Sequence, residues 1–396
     1  MMLAPLQPEP SPMDYEADST QHGLRIPGLG LECGMVFVFA FLLQIWLIMV
    51  CGGRPLEPTD FHFGVWPQMV LLLDPYVTGI AGLPLGAASV LSILSIALGL
   101  WCFHFANRLH GAHRDQSYLM ILLFLGLPAT LTQIIAPSPM GPFLGAVGVV
   151  YLCATLLVTR PSVFFVSLFG LATAATYTIH WVGAFLPLLL LPWVLLRNRD
   201  LYGDLFPHAL LGIHAMLVHS LLVLSTMLLG DRFSIGADII RTDVANVFSS
   251  TRLVQTTISE ILIPFFPLAL ASISAIWNPD MKWRITLTGV AAIPFILLSL
   301  GQSDSILGPG ALLLPVAFAG LLCLRDLLEE RSVLAAATVI SLLFGSLSLY
   351  EARFQDAPAD VAVVRQSLPL QTLRKATGAE VIQKVPLVPP QVPGKE

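Results

Sequence analysis

The segment "PTDFHFGVWPQMVLLLDP", residues 58 to 75, places two carboxylates, Asp60 and Asp74, and one imidazole, His62, among groups fit to lie on a lipid surface. A carboxylate at a membrane interface accepts a proton from a hydroxyl while a lipid-linked substrate stays dissolved in the bilayer. The same oxygens ligate a divalent metal ion. Asp60 is therefore a candidate catalytic base or metal ligand, with His62 or Asp74 assisting. Phe61, Val65, Met69, Leu72 and Leu73 follow a helical spacing that lays the segment in the interface with Trp66 at headgroup depth. Pro67 kinks or splits such a helix. Asp60 and Asp74 are fourteen residues apart, or roughly 21 Å along an unbroken helix. They share a site only if the segment folds back near Pro67. The residues read equally well as an amphipathic loop helix whose acids face water, with Asp74-Pro75 as a turn.

Other polar groups stand out against the apolar background. The stretch "DRFSIGADIIRTDVANVFSSTRLVQTTIS", residues 231 to 259, sets Arg232, Arg241 and Arg252 among Asp231, Asp238 and Asp243. Folded over a site, Arg241 or Arg252 would clamp a lipid phosphate or pyrophosphate as a bidentate donor and stabilise a leaving group. The alternative is a solvated loop whose charges pair with one another. His208, His214 and His219 lie along one apolar run, and their spacings of six and five miss the i, i+4 pattern of a helical metal pair. On a helix His208 and His219 share a face and His214 points elsewhere. His219 sits near the middle of its run, where a polar group needs a partner or a wet cavity. It either bonds to a neighbouring helix or lines a substrate cavity. His180 and Trp181 read as an interfacial anchor, and His110, His113 and Arg114 as groups that set topology. No GxSxG, HExxH, P-loop or dinucleotide fingerprint occurs at a plausible place.

The elements that carry these residues are set by composition. The chain has 396 residues, of which 56% are hydrophobic and 11% charged, and its mean hydropathy is +0.79. Soluble domains carry about 25% charged residues, so this is an integral membrane protein. The net charge of −5 includes no basic block with interleaved aromatics, which argues against nucleic-acid binding. Cys33, Cys51, Cys102, Cys153 and Cys323 occur singly, with no CxxC, and read as small hydrophobes. Asp14, Glu16 and Asp18 precede Arg25, the reverse of a signal peptide's basic start, so residues 1 to 30 are expected to be a retained, disordered cytoplasmic lead.

Spans of about 20 apolar residues cross a bilayer. Such runs fall near 33–51, 83–106, 117–136, 143–159, 162–179, 181–196, 206–230, 260–277, 285–301, 306–324 and 332–350. The expected fold class is all-α and polytopic, with about eleven transmembrane helices between residues 31 and 350. Residues 162 to 196 could form one helix or a hairpin, and charge decides. With a cytoplasmic N-terminus and a hairpin turning at "YTIHW", the connections bearing Arg108 and Arg114, Arg160, Arg197 and Arg199, Lys282 and Arg284, and Arg325 and Arg331 all fall inside. A single helix would put every later basic loop outside. Long outer loops then occupy 52–82 and 231–259. The tail from 351 to 396, ending "VPLVPPQVPGKE", is external, lacks a packed core and is a candidate partner-binding segment. No fixed-period repeat or matched pair of Gly/Pro-broken spans occurs, which weakens a transporter reading.

The order of spans and loops resembles the GT-C class of polyprenyl-phosphate-dependent glycosyltransferases, in particular its protein O-mannosyltransferase and aminoarabinose transferase branch. That class follows its first span with a long outer loop bearing an acidic motif, and its seventh span with a second one. "FGLATAATYTIHWVGAFLPLLLLPWVLLRNR", residues 169 to 199, is similar to the family's Gly-rich span leading to a hairpin. "GPGALLLPVAFAGLL", residues 308 to 322, is similar to a Pro-containing late span. The resemblance covers about residues 30 to 325. It implies a bacterial inner-membrane enzyme that moves a sugar from a polyprenyl-phosphate donor to a lipid, glycan or protein acceptor on the external face, with a divalent metal as the expected cofactor. It puts Asp60 in the place of the first-loop acid and His180 near the entry of the carrier phosphate. The familiar Asp-Glu pair is absent, since Phe61 follows Asp60, and the next outer turn, "PSPMGP", lacks an acid. A non-catalytic relative in a cell-envelope assembly is the alternative.

Overall fold

A computed structural model describes residues 28–51, 73, 87–127, 130–131, 140–203, 205–228 and 331–354. Among these the chain is helical and contains no strand. In order the helices are α1 (Leu29–Cys51), α2 (Ala87–Leu109), α3 (Arg114–Gly126), α4 (Met140–Thr159), α5 (Val163–Tyr177), α6 (Leu186–Tyr202), α7 (Leu205–Leu228) and α8 (Arg331–Phe354). A short 3-10 helix, Trp181–Phe185, precedes α6. Among the described residues four helices are long and apolar enough to cross a membrane, over Leu29–Ile48, Ser89–Leu109, Gly141–Thr159 and Pro207–Leu228. The expected runs at 260–277, 285–301 and 306–324 lie outside the described residues, as do both expected outer loops except Leu73.

In hydrocarbon, helices gain nothing from hiding apolar surface from one another, so they associate through close packing and interhelical hydrogen bonds. The α2–α4 pair shows how. Gly141 lies against Ser92, Gly145 against Ser95 and Gly148 against Gly99, and a β-carbon on Gly148 would sit 2.5 Å from the Gly99 backbone. Because both sequences advance together, α2 and α4 run in the same direction. Gln44 on α1 donates to the Ile93 carbonyl of α2 at 3.3 Å, joining the C-terminal half of α1 to the N-terminal half of α2. The pair α5 and α7 is also parallel, with Ser167 beside His214, Gly170 against Ala215 and Val218, and Thr173 beside His219. In α3 and α8, Leu119 and Leu123 carbonyls receive Thr338 and Ser341 hydroxyls, again in step.

The hairpin expected between 162 and 196 is present. Ser162 caps α5 by accepting from the Phe165 amide at 3.3 Å. The helix ends at Tyr177, and the amides of Thr178, Ile179 and His180 close the last turn on the Ala175 and Thr176 carbonyls. Gly183 returns so close to Thr176 that a β-carbon would meet its carbonyl carbon at 2.5 Å. Phe143, near the start of α4, touches His180, which puts the turn at the same end of the bundle as Cys51, Ala87 and Met140. Parallel packing with α5 brings Leu228 to that end too. Leu29, Leu109, Arg114 and Thr159 lie at the other.

Several boundaries shift. The first helix starts at Leu29, four residues before its apolar run, because Gly28 at φ +80° lets the chain enter the helix there. Helix α3 begins at Arg114, so the connection after α2 is a tight turn in which Gly111, at φ +81°, and Ala112 bond back to Arg108 and Asn107. Helix α6 continues through Arg197 and Arg199 to Tyr202, and α8 runs past Tyr350 to Phe354.

The glycine contact predicts a specific sensitivity. Gly148→Val is expected to lower stability by about 1 to 3 kcal/mol, the usual cost of overpacking, read as thermal unfolding of the detergent-solubilised protein. Gly34→Ala on α1, whose added carbon meets nothing within 4 Å, is expected to leave the midpoint unchanged or slightly raised.

Candidate functional site

Polar chemistry among the described residues concentrates at two places. The first closes the end of the bundle that holds Leu29 and Leu109. Glu32, in the first turn of α1, is only 8% exposed. Its Oε2 lies 3.2 Å from Arg108 Nε and 3.5 Å from His104 Nε2, and its Oε1 lies 3.8 Å from Arg114 Nε. Arg108 also donates through Nη1 to the Ala112 carbonyl at 2.7 Å, tying the end of α2 to its own turn. His104 Nδ1 is 2.8 Å from Ser117 Oγ, and the imidazole stacks on the Tyr118 ring at 5.0 Å. Arg114 donates through Nε to the Tyr118 hydroxyl at 3.2 Å. One carboxylate thus joins cations from α2 and α3 at the membrane boundary.

His104 Nε2 faces Glu32 without forming a hydrogen bond, and Nδ1 shares one with Ser117 Oγ. The order serine, imidazole, carboxylate has the parts of a nucleophilic relay. However, Ser117 is a fully buried residue. The arrangement serves as an ionic latch between α1, α2 and α3.

The second place is the hairpin junction. His219 on α7 donates through Nε2 to the Ala184 carbonyl at 3.1 Å. A carbonyl only accepts, so the neutral ring holds its proton on Nε2 and receives Thr173 Oγ1–H at Nδ1, 3.1 Å away. His219 is accordingly an interhelical tie between α5, the 3-10 helix and α7. His214, expected to point away from the other histidines, also turns toward α5, with Nε2 3.1 Å from Ser167 Oγ. His180 is 7% exposed and lies edge-on to Phe143, ring centroids 6.1 Å apart. Burial pushes its pKa down to about 4, so the ring is neutral at pH 7. An apolar groove of about 370 Å³ opens between α6 and α7, mostly in the half of α7 nearer Leu205, floored by Gly212 and walled by Leu191, Leu195, Ile213, Met216 and Leu217.

Of the residues singled out from sequence, His180 and His219 belong to one junction. Asp60, His62, Asp74, Arg241 and Arg252 lie outside the described residues, and so does the expected metal position at Asp60. Among the described residues no three His, Cys, Asp or Glu side chains are grouped to hold a metal ion. Glu32, His104 and Ser117 were not singled out from sequence. Their signal was present: Glu32 borders the first apolar run, His104 is an ionisable group inside the second, and Arg108 follows His104 by one helical turn. Cys33, Cys102 and Cys153, read as small hydrophobes, are free and buried.

No family model, curated protein or solved structure matches the chain.

The latch and the junction each predict a response. Glu32→Gln leaves the Arg108 guanidinium without its counter-charge in a largely buried place, and is expected to destabilise by about 3 kcal/mol, read by thermal unfolding in detergent. For His180, the unfolded ring titrates near 6.5 and the folded one near 4. The unfolded state therefore binds the extra proton in that window. Stability is expected to be full above pH 6.5 and to fall by about 1.4 kcal/mol per unit between pH 6.5 and 4. His180→Asn should flatten that slope in a pH series of unfolding curves.

Proposed function

We propose that this chain is a multi-pass membrane glycosyltransferase of GT-C type that moves a sugar from a polyprenyl-phosphate donor to a lipid, glycan or protein acceptor. The active site lies in the loops 52–82 and 231–259. Asp60 is the base or the ligand of a divalent metal ion, His62 or Asp74 assists it, and Arg241 or Arg252 binds the phosphate. The protein works in a bacterial inner membrane, and its tail beyond Phe354 is available to a protein partner.

The observation that carries this reading is the sidedness of the described helices. Cys51 and Ala87, which flank the loop with Asp60, lie at the same end of the bundle as the His180 turn and as Leu228, from which the loop with Arg241 and Arg252 departs. The ionic latch and the exposed Arg160 occupy the opposite end, as a cytoplasmic face rich in basic residues requires. His180 and His219 serve in the framework that holds the turn at the end from which those loops depart.

Purified protein incubated with polyprenyl-phosphate sugars and lipid or glycan extracts, with and without divalent metal, is expected to yield a transferred sugar by mass spectrometry. Asp60→Asn is expected to lower the rate by a factor of about 100 or more, the scale of a lost general base, while helicity and melting stay as in the wild type. Transfer at the wild-type rate in that variant removes Asp60 from the mechanism. Failure with every donor and acceptor favours a non-catalytic subunit.

A further inference from the structure

The ionic latch contains more positive charge than it neutralises. Glu32 supplies one carboxylate, and Arg108, at 3.2 Å and largely buried, is its close partner. Arg114 is a second guanidinium, 3.8 Å from the same carboxylate, and its side chain is 53% exposed. The adjacent Asp115, turned about 100° around the helix, attracts Arg114 electrostatically but forms no ion pair with it among the described residues. Both polar contacts of Arg114 use Nε, one to Glu32 and one to the Tyr118 hydroxyl. Its guanidinium carbon lies 5.4 Å from the Tyr118 ring centre. The outer edge of the fork, with its two amino groups, makes no hydrogen bond among the described residues. Leu31 and Met35 of α1, flanking Glu32 in sequence, are exposed apolar residues. A lipid is therefore the natural neighbour of this rim.

We propose that Arg114, held by Glu32 and Tyr118, binds the phosphate of an acidic phospholipid at the latch end of the bundle. A planar guanidinium meets a phosphate through two parallel N–H···O bonds. Here Nε is already engaged, so the terminal pair is left to form that fork. Clusters of basic groups at the boundary of membrane helices select anionic headgroups by this chemistry. The site is at the opposite end from the loops assigned to sugar transfer, and it stands whether or not that assignment does.

The test uses the full-length protein in nanodiscs of phosphatidylcholine alone or mixed with phosphatidylglycerol, followed by transfer to detergent and counting of retained lipids by native mass spectrometry. The wild type is expected to retain phosphatidylglycerol over phosphatidylcholine, and Arg114→Gln to reduce that preference five- to tenfold with unchanged melting. Arg114→Lys keeps the charge but loses the fork, and is expected to fall between the two. It carries the test alone if the glutamine variant does not fold. Excess inorganic phosphate should leave the retained lipid in place. Equal retention of both lipids by the wild type, undiminished preference in the variant that folds, or displacement by inorganic phosphate overturns the proposal.

Discussion

The close approach of Gly148 to Gly99 is the contact on which the described bundle depends. Hydrocarbon offers helices no hydrophobic reward for meeting, so dispersion between closely packed atoms must hold them, and that falls steeply with distance. A serine and glycine row on α2 facing a glycine row on α4 lets two backbones touch. With that distance set, Phe103 packs on Tyr151 and the Tyr151 hydroxyl reaches Asn107, both within the same pair. Helix α1 then completes one flank through Gln44, and Trp193 of α6 reaches Tyr151 on the other.

Polar groups form the second layer of this logic. In a low-dielectric interior an unpaired donor or ion is costly, and His219, His214, Thr338, Ser341 and Glu32 each find a partner on another helix. His219, which the sequence places near the centre of a span, has both nitrogens occupied, by Thr173 and by the Ala184 carbonyl, in a tie that holds the hairpin together.

What was legible in the sequence follows from what the bilayer demands. Helices α1, α2, α4 and α7 were readable because a crossing needs a length of apolar residues that few other structures use. The break at Thr178–His180 was readable from basic residues alone, since a continuous helix would have inverted every later loop. The ionic latch was not read, because its partners are separated by 76 residues and no local spacing joins them. The facing of His214 was missed for a related reason. A helical wheel gives one stripe toward one neighbour, but α7 touches both α5 and α6, so residues on either side of the stripe are also turned inward. The start of α3 was misplaced because an arginine with a long aliphatic stem sits in the first turn of an apolar helix while its charged head reaches the boundary.

The two ends of the bundle differ in what they ask of their charges. At the latch end, short turns hold the helices within a few residues of one another, so charged groups fall within reach and Arg108 finds its counter-charge internally. Gly111–His113 is such a turn, and it brings Arg108 and Arg114 to a single carboxylate. At the other end the described ties are neutral hydrogen bonds, from Thr173 to His219 and from His219 to the Ala184 carbonyl. Among the described residues, then, fixed charge sets helix positions at one end, and neutral donors and acceptors set them at the other.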